Sequence, residues 1–278
     1  MMPDRPSAQV LIAEKYKKDG AKVVQTYQDL NFSKHIALMT EHTGLKPGVK
    51  VLDIGCGTGA LLVELCEAGA CVTGVDTFEE AEGIDRRIAE ARLKDNKLSA
   101  DLVTCSAMEM PFENESFDLA VTIGMLEHIP PNARPKMLPE IFRVIKRGGY
   151  LFLIAGPTNL TPFDQHIPGY LYSNWLSRER KLKISEKARR RQFLEIPWGI
   201  SRRELREALP HASFVTLYGA YFSYGGGSTG GEFSWNSLSG LVWIKRRFKL
   251  HRFFGLAANA LYLLRQEHCH ILAIRKLE

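Results

Sequence analysis

The sequence predicts an α/β fold, a mostly parallel, doubly wound sheet with helices on both faces, and three observations predict it. Short apolar runs alternate with segments of helical periodicity through the first 155 residues. A glycine-rich turn, Gly55-Cys-Gly-Thr-Gly59, follows the first apolar run. An acid, Asp76, ends the second run, about 20 residues after the first glycine. Strands that alternate with helices stack in parallel, because each crossover helix covers an apolar face of the sheet.

The elements follow in order. Residues 7–43 are helical in composition, with Val24, Tyr27, Ile36 and Met39 at helix spacing, and Leu45-Lys-Pro-Gly48 turns the chain into a first strand at Val51. A helix over 58–67 follows the glycines. Residues 71–75 form the second strand and 78–94 a charged helix. Strands three, four and five cover 102–105, 117–123 and 150–155. Between the last two, 137–145 carries apolar residues at helical intervals and stops at Lys146-Arg-Gly-Gly149. Ser201-Arg-Arg-Glu204 reads as a capping box that opens a short helix, 213–218 as strand six and 269–274 as strand seven.

Composition fits a globular enzyme of 278 residues with one core and insertions. No run reaches the roughly 18 apolar residues of a membrane span, and the opening Met1-Met-Pro-Asp-Arg-Pro has no signal-peptide apolar region, so a cytoplasmic location is expected. The five cysteines are odd in number and form no C-x-x-C pair, which argues against a disulfide framework or a metal site. Cys56, between two of the glycines, reads as a small residue filling a tight turn rather than a nucleophile. The net charge of +6 is concentrated. Residues 175–207 hold 11 Lys and Arg against 5 Glu, and 241–266 hold 6 Lys and Arg with no acid. A basic surface on these segments suits an anionic substrate, a membrane surface or RNA.

The glycine turn carries the chemistry. A dinucleotide fingerprint spaces its glycines G-x-G-x-x-G to set a helix N-terminus against a pyrophosphate. Here the pattern is D-x-G-x-G-x-G, with Asp53 ahead of Gly55, Gly57 and Gly59. A carboxylate there repels a pyrophosphate and suits an ammonium. Asp76 stands where a carboxylate accepts bonds from ribose hydroxyls.

These residues resemble motif I and the acidic second motif of the class I S-adenosylmethionine (SAM) dependent methyltransferases. Ser106-Ala-Met-Glu-Met-Pro-Phe112, with Ser116-Phe-Asp-Leu119, resembles the adenine-side motif of the ubiquinone and menaquinone biosynthesis type. Val121-Thr-Ile-Gly-Met-Leu-Glu-His-Ile-Pro130 resembles its fourth-strand motif, and Ile141-Phe-Arg-Val-Ile-Lys-Arg-Gly-Gly149 its turn into strand five. The resemblance covers Val51 to Leu153 and weakens outside that span. It implies a Rossmann-like sheet of seven strands whose last strand enters antiparallel between strands five and six, with a cap from insertions. It implies SAM as cofactor and S-adenosylhomocysteine as product. Asp53, Gly55, Gly57 and Gly59 would surround the methionine end, Asp76 would hold the ribose and Thr77 would lie beside the adenine. Ala107 and Met108 would line the adenine face, and Gly124 and Met125 would lie near the sulfonium. Many relatives carry Asp where this chain has Ser106, which weakens one expected adenine contact.

Transfer from a sulfonium needs an aligned acceptor and, for a hydroxyl, a base. His128, just after strand four, has a pKa suited to that work. Its alternative is a loop residue that shapes the pocket. Glu127 could bind substrate or brace the loop, or be a solvated or capping acid. His166, in the polar loop 157–170, is a second candidate base. No metal is expected.

The expected organisation is an N-terminal helical segment over the cofactor site (1–45), a SAM-binding core (46–155), a substrate-side insertion (156–200), the rest of the core sheet (201–219 and 267–278) and an insertion at 220–266. That insertion, with Trp243, Phe248, Phe253 and Phe254 among Lys and Arg, reads either as a cap or as a peripheral contact of 241–266 with an anionic membrane. The expected partner is a small-molecule acceptor, methylated at oxygen. An RNA methyltransferase and a silent SAM-binding regulatory protein are the alternatives; nucleic acid is disfavoured because no RNA-binding module appears. An oligomer remains open.

Overall fold

The computed structural model describes residues 6–17, 31–79, 83–155, 200–217 and 270–277, and in isolation Ser177, Glu179, Arg180 and Lys183. Among these, seven strands form one sheet: β1 (Lys50–Ile54), β2 (Cys71–Asp76), β3 (Asp101–Thr104), β4 (Phe117–Ile123), β5 (Ile145–Ala155), β6 (Ala212–Thr216) and β7 (His270–Lys276). The order is β3-β2-β1-β4-β5-β7-β6. The first five pair in parallel, whereas β7 runs antiparallel to both β5 and β6. Chain order reverses between β1 and β4, so crossovers leave on opposite faces and a crevice opens at the carboxyl ends there.

The strands read as continuous apolar runs because both faces are covered. On one face Val51, Leu119, Val121 and Phe152 pack against Met39 of α2 (Ser33–Thr43) and Leu62 and Leu65 of α3 (Ala60–Glu67). On the other, Leu52, Ala120, Leu151 and Leu153 meet α5 (Arg134–Val144) through Met137, Leu138 and Ile141 and α6 (Arg202–Ala208) through Leu205. Each fully buried leucine contributes about 1.5–3 kcal/mol. Ser201 Oγ accepts from Glu204 N at 3.1 Å, which caps α6 as its sequence predicts.

The N-terminal helix α1 (Ala8–Tyr16) forms a separate cluster with α4 (Ile84–Asp95): Ala8, Leu11 and Ile12 pack on Ile84, Ile88 and Ala91. Ala8 N donates to Asp95 Oδ2 at 2.9 Å, and Lys15 Nζ donates to Asp85 Oδ1 at 2.5 Å. The two helices are therefore antiparallel, and α1 ends beside the start of α4, next to the loop that follows β2.

Some boundaries move. Residues 7–43 give two described helices, and residues 18–30, including Val24 and Tyr27, lie outside the described residues. The charged helix begins at Ile84 rather than 78, because Phe78 sits at φ +52°, outside helical backbone. Lys146-Arg-Gly-Gly149 is not a stop between helix and strand. It is the irregular start of β5, where the register slips from Phe117 opposite Ile145 to Leu119 opposite Tyr150.

Candidate active site

The carboxyl ends of β1, β2, β3 and β4 bring the predicted cofactor residues to one edge of the sheet. Gly55 N and Cys56 N both donate to Val75 O, at 2.8 and 3.1 Å, which folds the glycine turn back over β2. Asp76 then knits two loops together: its Oδ2 accepts from Gly57 N and its Oδ1 from Phe78 N, each at 3.0 Å. Each oxygen keeps a second lone pair for a further donor. Thr77 is exposed between them.

The glycines serve different ends. Gly55, at φ +78°, has no room for a side chain, since an added Cβ would stand 2.7 Å from Met125 Cγ. That near-contact is what joins the turn after β1 to the turn after β4. Gly57, at φ +47°, faces open space, where a Cβ would meet nothing within 4 Å. Gly59 packs against α4, with Ala89 Cβ 2.7 Å from its would-be side chain. Cys56 is buried and its thiol is pushed far up by burial and then by the charge of Asp53, so it is no nucleophile.

Asp53 is the unusual group. It is 3% exposed, and its Oδ2 has no hydrogen-bond partner among the described residues. Burial first, and the neighbouring Asp76 second, push its carboxyl up to about 7. An orphaned buried carboxylate costs free energy until a donor or a cation meets it. A sulfonium ligand with an α-ammonium would supply that charge, the open ground at Gly57 would give it room, and Asp76 would offer acceptors to ribose hydroxyls. The residues present fit SAM.

After β3, Ala107 and Met108, expected to line the adenine, are half-buried against the second core cluster. Ser106 Oγ accepts from Met108 N at 3.2 Å, so the hydroxyl shapes this turn. Met110 N, bonded to Glu140 Oε1 at 2.8 Å, ties the turn to α5.

After β4, Gly124 sits exposed at φ +72° and Leu126–His128 forms one turn of 3-10 helix, closed by His128 N donating to Met125 O at 2.9 Å. Glu127 is 4% exposed. It is therefore not the solvated acid its sequence allowed; its carboxylate turns back, with Oε1 3.9 Å from where a Cβ on Gly124 would stand. His128 is half-buried with Nδ1 shut off from solvent. His166 lies outside the described residues.

Two residues of this site were missed in one dimension. Arg134, wholly buried, donates from Nε to Ile129 O at 2.9 Å and from NH1 to Glu204 Oε1 and Oε2 at 2.9 and 3.1 Å. It thereby pins the end of the His128 turn to α6. Nothing in the sequence pairs these residues, 70 positions apart, and Glu204 reads there only as the third position of a capping box.

Residues 51–149 match the methyltransferase domain family. Curated relatives include a sterol 4-C-methyltransferase of Caenorhabditis elegans, 35% identical over 134 residues, or 48% of this chain and 37% of that protein. A ubiquinone biosynthesis O-methyltransferase of Colwellia psychrerythraea is 31% identical over 156 residues, or 55% of this chain and 58% of that protein. The chain thus spans well under two thirds of either relative. Among solved structures, a Haemonchus contortus phosphoethanolamine N-methyltransferase 2, bound to phosphomonomethylethanolamine and S-adenosylhomocysteine, superposes with TM-score 0.54 at 17% identity, over 98% of this chain and 61% of that one. That likeness shows the fold.

Proposed function

This chain carries a class I SAM-dependent methyltransferase domain, and from that premise we propose that it methylates a hydroxyl on a small or medium-sized acceptor: quinone-like, lipid-linked, glycan or another secondary metabolite. The observation that carries the reading is the orphaned Asp53 carboxylate beside Asp76, next to the open ground of Gly57. The bound cofactor supplies an activated methyl carbon. Asp53 meets the ammonium of the methionine end, Asp76 holds the ribose hydroxyls, Thr77 borders the base, and Ala107 and Met108 pack on its face. Gly124 and Met125 present backbone carbonyls at the far side of the glycine turn.

His128 is the proposed base. Its Nδ1 is shut off from solvent, and Nε2 is the nitrogen proposed to take the acceptor's proton. Glu127 braces that turn from below, and His166 is the alternative base. Oxygen is proposed over carbon because His128 gives the site a group that removes a hydroxyl proton; relatives bear names of both kinds.

Two flanking regions complete the proposal. The N-terminal segment lies over the cofactor, a reading supported by α1 ending at the start of α4. Residues 241–266 either cap the acceptor or rest on anionic lipid. No helix among the described residues is long and apolar enough to cross a membrane.

The test is acceptor-dependent formation of S-adenosylhomocysteine from methyl-labelled SAM in fractionated small-molecule extracts. Labelled product that survives nuclease treatment supports the reading. Label that vanishes with nuclease points to RNA, and cofactor binding without turnover on any fraction points to a silent SAM-binding protein.

A further inference from the structure

We infer that binding the amino-acid end of the cofactor expels a proton from the protein through Asp53, so that affinity for the ligand is set by pH. This rests on the cofactor reading above and goes beyond it. The geometry is an unequal pair of carboxylates at the ends of adjacent strands. Asp76 receives backbone N–H groups from Gly57 and Phe78, one on each oxygen. Asp53 is more deeply buried, and its Oδ2 receives none. Two carboxylates that share a desolvated site and lack a counter-charge retain a proton, and the one without donors holds it. Burial and Asp76 keep Asp53 protonated up to about pH 7.

Among the described residues, the surrounding groups do not supply the missing cation. From the glycine turn, Cys56 stays a neutral thiol. From α4, Asp85 is already paired with Lys15 of α1. From α3, Glu64 accepts from Phe32 N, and from α2 His35 is held neutral, its pKa lowered by burial to about 4. Glu127 and His128 stand on the turn after β4, and Asp118, at the start of that strand, is paired with Lys146.

When an α-ammonium enters, the balance reverses. The carboxylic acid of Asp53 gives up its proton to solvent, and the resulting carboxylate pairs with the ammonium, which keeps all its own protons. No bond to carbon changes and no co-reactant is needed. Well below pH 7 each unit of acidity then weakens binding about tenfold, and the step from pH 7 to pH 6 about fivefold.

The test is calorimetry of the full chain with S-adenosylhomocysteine at pH 6 in buffers of different ionisation enthalpy. About one proton released per ligand is expected, together with about fivefold tighter binding at pH 7 than at pH 6. 5′-Methylthioadenosine, which lacks the amino-acid end, is expected to bind without proton release, and Asp53→Asn to bind S-adenosylhomocysteine without it. Binding of S-adenosylhomocysteine at pH 6 with no proton exchanged, or equal release with both ligands, overturns the inference and leaves the cofactor reading intact. No binding of S-adenosylhomocysteine at any pH overturns both. The comparison of two ligands on the unmodified chain decides the matter even if Asp53→Asn fails to fold.

Discussion

Arg134 and Glu204, on α5 and α6, form a two-oxygen ion pair whose guanidinium is wholly buried and whose carboxylate side chain keeps 25% of its exposure. The asymmetry makes the two partners unequal. Glu204→Gln strands a buried positive charge and is expected to cost about 3–5 kcal/mol, whereas Arg134→Met leaves a carboxylate that water can reach and is expected to cost about 1–3 kcal/mol. Urea unfolding of both variants checks this; equal losses would show that burial does not govern the pair.

Gly55 and Gly57 separate packing from binding. Gly55→Ala drives a Cβ into Met125 at φ +78°, so a stability loss of about 2–4 kcal/mol is expected. Gly57→Ala, at φ +47° with open space around it, is expected to cost about 1 kcal/mol in stability and to weaken S-adenosylhomocysteine binding more than tenfold by filling that space. Thermal melts with and without ligand distinguish the two outcomes.

Asp76→Ala removes the acceptor for Gly57 N and Phe78 N as well as the proposed ribose contact. Binding of S-adenosylhomocysteine is expected to weaken by about 1–3 kcal/mol. Unchanged affinity by calorimetry sinks the ribose assignment.

Two buried groups oppose each other in the pH dependence of stability. Asp53 has its pKa raised from 3.8 to about 7, so between these values the folded state holds a proton that the unfolded chain has lost, and stability falls as pH rises. His35 has its pKa lowered from 6.5 to about 4 by burial, so there the unfolded chain holds the extra proton and stability rises with pH. Between pH 4 and 6.5 the two slopes cancel. Asp53→Asn is expected to expose a rise and His35→Leu a fall, each about 1.4 kcal/mol per pH unit at most. Urea midpoints at pH 4.5 and 6.5 read both; parallel profiles for the two variants would refute the opposition.

His128→Ala is expected to leave S-adenosylhomocysteine affinity within about twofold and to lower turnover by about 10²–10⁴ on a hydroxyl acceptor. A turnover near that of the unmodified chain removes His128 as the base.

Much of the core was legible because its signals are local. The run Val51 to Ile54, the turn at Gly55 and the acid at Asp76 declare strand, loop and strand within 26 consecutive residues, and periodicity carries that reading through β5. Boundaries failed where backbone outside the usual regions intervened, as at Phe78 and in the bulged start of β5. Glu127 shows another limit: its sequence left a solvated acid and a bracing one both open, and only the folded turn after β4 shows it buried.

Strands, crossover helices and the mostly parallel sheet could be read along the chain, together with the glycines and acids proposed for the cofactor, because hydrophobic periodicity and glycine placement act over a few residues at a time. Only the folded chain shows that Asp53 Oδ2 has no partner among the described residues, that Met125 lies on Gly55 and that Arg134 pairs with Glu204. Each of those depends on which surfaces exclude water and on distances across strands and helices far apart in the chain, and desolvation and long-range contact leave no mark on sequence spacing.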